Sequence, residues 1–293
     1  MVAKGMHRSS KITLLLIGGV ILALLAGYLG ATIRGGGAGG EAATSSSSAW
    51  SWVKKIRDNG ELRVGVSSSP PGITESDDGT WKGFELIAPQ AIADTLGVKL
   101  KTVPTTFENA VAALQANQFD MMVSLNVTPD RSLSIRFSIP HWVAEDVFLV
   151  REDSGFTSAQ AVIDAGEPIA VPAGTSQDKA LTARGANVLR LKSYQEANLA
   201  LTSGRAVASF LDIPGAAAFA SERDDVKIVV PKPSMSVQAV GYGLNPNIDE
   251  SSLAYLNAEI DTLLKRGVIE AAMIESGYLT ADQLGDLELK SSR

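Results

Sequence analysis

The chain has 293 residues, a formal net charge of −6 and no cysteine. The missing cysteine excludes disulfides, thiolate nucleophiles, cysteine-ligated zinc and a lipid-bearing cysteine anchor. The acidic balance, without a long basic run, argues against nucleic acid, whose phosphates are gripped by Lys and Arg.

Residues 1–34 read as a membrane anchor or signal segment. Lys4, Arg8 and Lys11 precede a stretch from Ile12 to Ile33 that carries no charge. As a helix this stretch would be about 33 Å long, enough for a bilayer core of about 30 Å. The basic flank should stay in the cytoplasm, so the remainder faces outward. A retained anchor and a cleaved signal, cut near Ala38 or Ala42, both fit. Gly19, Ala23, Gly27 and Ala31 would form one small-residue stripe on that helix, although Ala and Gly are common in export signals generally. Residues 35–48, GGGAGGEAATSSSS from Gly35, lack the GK[ST] ending of a phosphate loop and read as a flexible linker with a reach of about 20 Å. Trp50 and Trp52, beside Lys54 and Lys55, fit either contact with lipid headgroups or, the favoured reading, a short capping helix that buries one Trp on the domain.

Beyond Gly60 strands and helices alternate. Leu62–Val66 is strand-like, Phe84–Leu96 has helical spacing up to a stop at Gly97, and Val98–Val103 is strand-like again. A helix over Phe107–Gln115 and strands at Met121–Ser124 and Val147–Val150 complete a first series. A second runs through strand Ile169–Val171, a helix from Thr175, strand Val188–Leu191, helix Tyr194–Leu201, strand Ala206–Leu211 and a helix from Pro214. Strand Ile228–Val230, a segment near Ser236–Leu244 and helices Ser252–Leu264 and Val268–Ile274 end the domain. Such alternation predicts an α/β fold with parallel sheets covered on both faces, and two successive series predict two lobes.

Ligands of open α/β sheets sit outside the carboxyl ends of strands, which points to the loops after Ser124, Val171 and Leu211. These loops carry the parts of a zwitterion site. The planar fork of Arg131 suits a carboxylate, Thr175 and Ser176 open a helix whose N–H groups favour an anion, and Asp212 suits an ammonium. Each also has a plain structural role open to it: a surface ion pair for Arg131, and helix caps for Thr175 and Asp212. Glu145 and Asp146 read as solvated, Trp81 as packing a hairpin turn, and Trp142 as a packed lobe residue that could also line the cleft. His7 and His141 are the only histidines, so no metal site is expected. No cofactor motif and no catalytic nucleophile elbow are present.

The runs LRVGVSSSPPG…GTWKGFELIAPQAIADTLGVKL, SLNVTPDRSLSIRFSIPHW, VPAGTSQDKAL and SGRAVASFLDIPGAAAF resemble bacterial extracellular solute-binding proteins of family 3. The resemblance spans Leu62 to Tyr278. It implies the two-lobed type II periplasmic-binding-protein fold with two hinge crossings, near Phe148–Arg151 and Val237–Gly241. The solute-binding domain would occupy 49–285, with one lobe at about 61–149 and 240–285 and the other at about 150–239. It further implies a polar amino-acid ligand, an ABC transporter permease as partner, and an extracytoplasmic location.

By this resemblance the ligand carboxylate falls to Arg131 of the TPxR motif, with Asn126 and Ser124 beside it. The turn hydroxyl and amide fall to Ser176 with Thr175 adjacent, the ammonium to Asp212, and stacking on the ligand side chain to Phe107. The chain departs from the family where an aromatic is common, reading Ser69-Pro70-Pro71-Gly72, and where Ser67 replaces an acid that helps bind basic side chains. That departure weighs against a lysine or arginine ligand. The alternatives for this chain are a membrane-tethered ligand sensor, or a periplasmic dehydratase-like enzyme on the same fold.

Overall fold

The computed structural model describes residues 49–277. The anchor or signal at 1–34, the linker at 35–48, His7 and the end of the domain at 278–285 lie outside the described residues.

The domain opens with helix α1 (Ser51–Asn59), which buries Trp52, Val53 and Ile56 and leaves Trp50 48% exposed. Strand β1 (Glu61–Val66) is followed by the hairpin of β2 (Thr74–Glu75) and β3 (Trp81–Lys82), where Trp81 sits as expected. The predicted helix over 84–96 begins as a 3-10 turn at Phe84–Leu86 and continues as α2 (Ile87–Leu96). It stops at Gly97, whose φ of 71° lets its N–H close the last turn onto Ala93 and Asp94. Next come β4 (Lys99–Pro104), α3 (Ala110–Gln115), β5 (Met121–Asn126), α4 (Pro129–Ser132), β6 (Arg136–Phe137) and β7 (Trp142–Arg151). The second series is α5 (Ala159–Asp164), β8 (Ile169–Pro172), α6 (Ser176–Thr182), β9 (Val188–Leu191), α7 (Tyr194–Thr202), β10 (Ala208–Asp212), α8 (Ile213–Ser221) and β11 (Val226–Val229). Strand β12 (Val237–Leu244) and helices α9 (Glu250–Lys265) and α10 (Val268–Glu275) finish it.

In the first lobe β4, β1 and β5 are parallel, and in the second β10, β8 and β9 are parallel. Two antiparallel strands join them. The first half of β7 pairs with β12, from Trp142↔Val240 to Glu145↔Val237. From Asp146 onward it pairs with β10 and β11 instead. The change of partner falls between Glu145 and Asp146, on the N-terminal side of the 148–151 segment expected from the resemblance. Strand β12 runs on alongside β5 and β6 of the first lobe.

The inner strands β5, β8 and β10 are buried on both faces, as sheets covered on both sides require, while the edge strands β4 and β9 stay partly exposed. One core cluster joins β1, α2, α9 and α10, and another fills the second lobe around Phe148, Val171 and Phe210. A third crosses between lobes, bringing Phe107, Leu114 and Met122 together with Val147, Tyr194 and Leu211. Asp249 fastens α1 to the domain. It caps α9 at Ser252 N (2.9 Å) and also accepts from Trp50 N (2.9 Å), Ser51 Oγ (2.9 Å) and Trp52 N (3.1 Å). These donors hold its carboxyl far below the usual carboxylate range, although burial alone would raise it.

Candidate functional site

The first wall of the cleft is built by an irregularity in β5. Between Met122↔Gly243 and Leu125↔Gly241 the strand β5 carries Val123 and Ser124 opposite the single residue Tyr242. Such a bulge re-aims a side chain. Ser124 takes it up with φ 54°, a left-handed backbone rare for a residue with a Cβ. Its N–H donates to Glu85 Oε2 (3.3 Å), the oxygen that His141 Nε2 meets at 3.1 Å, while Trp142 Nε1 donates to Glu85 Oε1 (3.1 Å). Burial would raise the Glu85 carboxyl. His141 and these donors outweigh it and hold the carboxyl below its usual value. Tyr242 stacks on His141 from the other side, with ring centroids 4.4 Å apart. Two residues on, Asn126 ends β5 with its Nδ2 buried and without a hydrogen-bond partner.

Arg131 follows on α4. Thr128 caps that short helix by accepting from Arg131 N, and Pro129 supplies its first turn. The guanidinium is buried. Nη1 donates to Asn126 O and Nη2 to Gly174 O, both at 2.9 Å, so it touches both lobes through carbonyl oxygens. Burial lowers its pKa, against the influence of Tyr194.

The second wall comes from the ends of β8 and β10 and the start of α7. Thr175 caps α6 by accepting from Asp178 N (3.2 Å) and donates to Pro172 O (2.8 Å), so its hydroxyl is occupied at both ends. Ser176 Oγ donates to Gln177 Oε1 (3.1 Å), and Gln177 Nε2 donates to Asp146 Oδ1 (2.7 Å). Asp212 caps α8, its Oδ1 accepting from Gly215 N at 2.8 Å. Asp146 is fully buried beside it, not solvated as its sequence context suggested, because β7 here passes from one sheet into the other. Burial foremost, then the charges of Asp212 and Glu145, push its carboxyl up to about 7. Tyr194 stands near all of these. Burial, with Asp146 and Asp212, raises its phenol well above the ordinary value, and Arg131 opposes them.

A small cavity of about 20 Å³ lies between the walls, room for roughly one water. Its lining combines Ser69, Glu85, Ser124, Asn126 and Trp142 of the first lobe with Gln177, Tyr194 and Asp212 of the second. Of the residues singled out in the sequence, Ser124, Asn126 and Asp212 line it, and so does Trp142, read as a packed lobe residue that could also line the cleft. Arg131 and Ser176 lie directly behind, bonded to the lining residues Asn126 and Gln177, and Thr175 is taken up by its cap. Phe107 sits edge-on against Tyr194, with centroids 5.8 Å apart, and it is Tyr194 that reaches the cavity. Gln177, Tyr194 and Glu85 escaped the sequence reading because each sits in or beside a helical pattern read for its period. A larger concavity of about 760 Å³ lies on the second lobe between α5 and β11, lined by residues such as Phe156, Lys227 and Met235. It contains none of these converging polar groups. Among the described residues no group of three or more acids or histidines is placed to hold a metal, and no helix is long and apolar enough to cross a membrane.

Residues 62–276 match the family model for bacterial extracellular solute-binding proteins, family 3. The chain is 26% identical over 223 residues to the L-cystine-binding protein TcyJ of Escherichia coli K12, covering 75% of this chain and 83% of that protein. It is 27% identical over 150 residues to an L-arginine-binding protein of Pseudomonas aeruginosa, covering 49% of this chain and 58% of the relative, under two thirds of that relative's length. Among solved structures it resembles an ancestral amino acid-binding protein described as a precursor of cyclohexadienyl dehydratase. There the TM-score is 0.68 at 27% identity, covering 76% of this chain and 98% of that one.

Proposed function

Because the chain belongs to the bacterial extracellular solute-binding proteins of family 3, we propose that it captures a small α-amino acid or similar carboxylate outside the cytoplasm and delivers it to an ABC importer permease. The observation that carries this reading is the cavity between lobes, where the unpartnered Nδ2 of Asn126 and the carboxylate of Asp212 stand on opposite walls. With Arg131 immediately behind Asn126, one wall offers donors to a carboxylate and the other an acceptor to an ammonium. A cavity of this size admits no amino acid, so the lobes part to load it. The ligand carboxylate then takes over Arg131 Nη2 from Gly174 O. Closure is favoured because the ligand touches both lobes only in the closed state. The uncharged stretch from Ile12 to Ile33 would hold the domain at the outer face of the membrane.

An enzymatic use of the fold, such as a dehydration, needs a general acid in reach of the ligand. Asp146 is the acid held near neutrality, and it lies fully buried behind Gln177. This favours a binder over a catalyst. The reading is tested by thermal denaturation of the purified protein against the common amino acids, L-cystine and small carboxylates. A ligand at about 100 times its Kd should add about 2.7 kcal/mol. Stabilisation by none of them would refute it.

A further inference from the structure

The concavity of about 760 Å³ on the second lobe has the volume of a small-ligand site and no part in the cleft. It lies between α5 with the turn before it, β11 with the segment running on to Met235, and Arg184 just beyond α6. Phe156, Ile163 and Met235 supply apolar surface. They pack on the core around Phe148 and Val171, yet each is only half-buried. Arg184, Lys227 and Lys232 share the lining, and among the described residues that line it there is no acid. The structure positions these cations without answering their charge. Arg184 donates from Nη1 to Ala180 O (2.8 Å) and from Nη2 to Met235 O (3.1 Å), and Lys227 Nζ donates to Glu152 O (2.9 Å). Carbonyl oxygens orient a cation but do not neutralise it. Lys232 has no partner among the described residues. Acids on the flanking segments are engaged elsewhere: Asp153 with Arg151, Asp225 with Arg223, and Asp164 with Gln160. In a chain of net charge −6, three positive charges over an apolar floor are a local reversal of sign.

We propose that this concavity is a second ligand site, for a single-chain amphipathic acid: a carboxylate on an aliphatic body of medium length. The carboxylate takes up the unanswered charge of Lys232, with Lys227 and Arg184 on the same lining. The aliphatic body lies on Phe156, Ile163 and Met235. A small inorganic anion would forgo the apolar surface, and an uncharged chain would forgo the cations. An exposed charge contact alone is weak, so the apolar body supplies much of the affinity and the charge selects the sign. The site belongs to the second lobe and shares no lining residue with the cavity between the lobes. It therefore stands whatever solute the cleft captures.

The test is titration calorimetry of the whole protein with butanoate, hexanoate and octanoate, and with 1-octanol and octylamine as uncharged and cationic counterparts. One octanoate should bind per chain, about tenfold tighter than octanol, which lacks the charged hydrogen bond. Each added methylene should tighten binding by up to about fourfold. Octylamine should bind no better than octanol. Lys232→Glu should weaken octanoate by about tenfold or more and leave octanol unchanged. Lys232 is exposed, so the variant should melt with wild type. Arg131→Ala, which removes the guanidinium of the cleft, should leave octanoate binding unaltered. Octanol binding as tightly as octanoate, or no saturable binding of octanoate, overturns the proposal. Loss of octanoate binding in Arg131→Ala also overturns it, by putting the acid in the cleft. So does capture of phosphatidylglycerol vesicles without binding of free octanoate, which would make this surface a membrane contact.

Discussion

Arg131 Nη2 donates to the carbonyl oxygen of Gly174 at 2.9 Å, so a guanidinium carried by the first lobe is bonded to the backbone of the second. The bond occupies the direction in which a ligand carboxylate would bridge the lobes. Charged hydrogen bonds of this kind are worth about 1.5–3 kcal/mol each. Arg131→Ala should therefore weaken amino-acid binding by about two orders of magnitude or more. The domain should stay folded, since the guanidinium bonds loop and strand-end carbonyls and not a core carboxylate. Calorimetry gives the affinity and far-UV circular dichroism the fold. Unchanged affinity would place the carboxylate elsewhere.

Gly174 itself is constrained. Its φ is 73°, and a Cβ there would stand 2.7 Å from Glu108 Cα, across the cleft in the first lobe. Backbone cannot yield as a side-chain tip would. Gly174→Ala should hold the lobes apart, raising Kd more than tenfold and enlarging the radius of gyration of the ligand-saturated protein in small-angle scattering. A variant as compact as wild type with equal affinity would show that this contact does not gate closure.

The loops that hold the site were legible because each follows a buried strand, and Asp212, Asn126 and Ser124 all reach the cavity from such positions. Most elements lie within a few residues of their predicted bounds. Helices α4 and α5 and strand β6 have no counterpart in the sequence pattern, and the first half of β7, Trp142–Glu145, lacks the apolar run that marked Val147–Val150. An acid pair in a strand ordinarily points to solvent. Asp146 is buried because its strand changes sheets there, a tertiary fact with no local periodicity. The bulge at Ser124 and the packing of Phe107 on Tyr194 are equally non-local. The first depends on Tyr242, far along the chain, and the second on how the lobes meet.

Thr175 separates a cap from a contact. Both roles of its hydroxyl are filled, by Asp178 N and Pro172 O. Thr175→Ala should cost about 1 kcal/mol of stability, the usual worth of an N-cap, with Kd changed less than about twofold. Urea denaturation and calorimetry on the same preparation measure the two quantities. A large loss of affinity at unaltered stability would make the hydroxyl a ligand contact after all.

Asp146 also sets how the ligand-free domain responds to pH, and the sign is opposite to that of most carboxylates. Its folded pKa, about 7, lies above the ordinary aspartate value, so between these limits the native state binds the extra proton. Stability from this group is then greatest below the unfolded value and falls as pH rises to 7, where the buried charge must form beside Asp212. The penalty above pH 7 is at most about 4 kcal/mol for such a shift. Glu85 runs the other way. Its lowered pKa contributes stability above the unfolded glutamate value that is lost only as acid protonates it. Asp146→Asn keeps an oxygen for Gln177 and removes the charge. The variant should melt higher than wild type at pH 8 and nearly with it at pH 5, as followed by calorimetric melting without ligand. Equal destabilisation of the variant at both pH values would mean that the carboxylate is needed ionised, and that its proton is not held in the folded state.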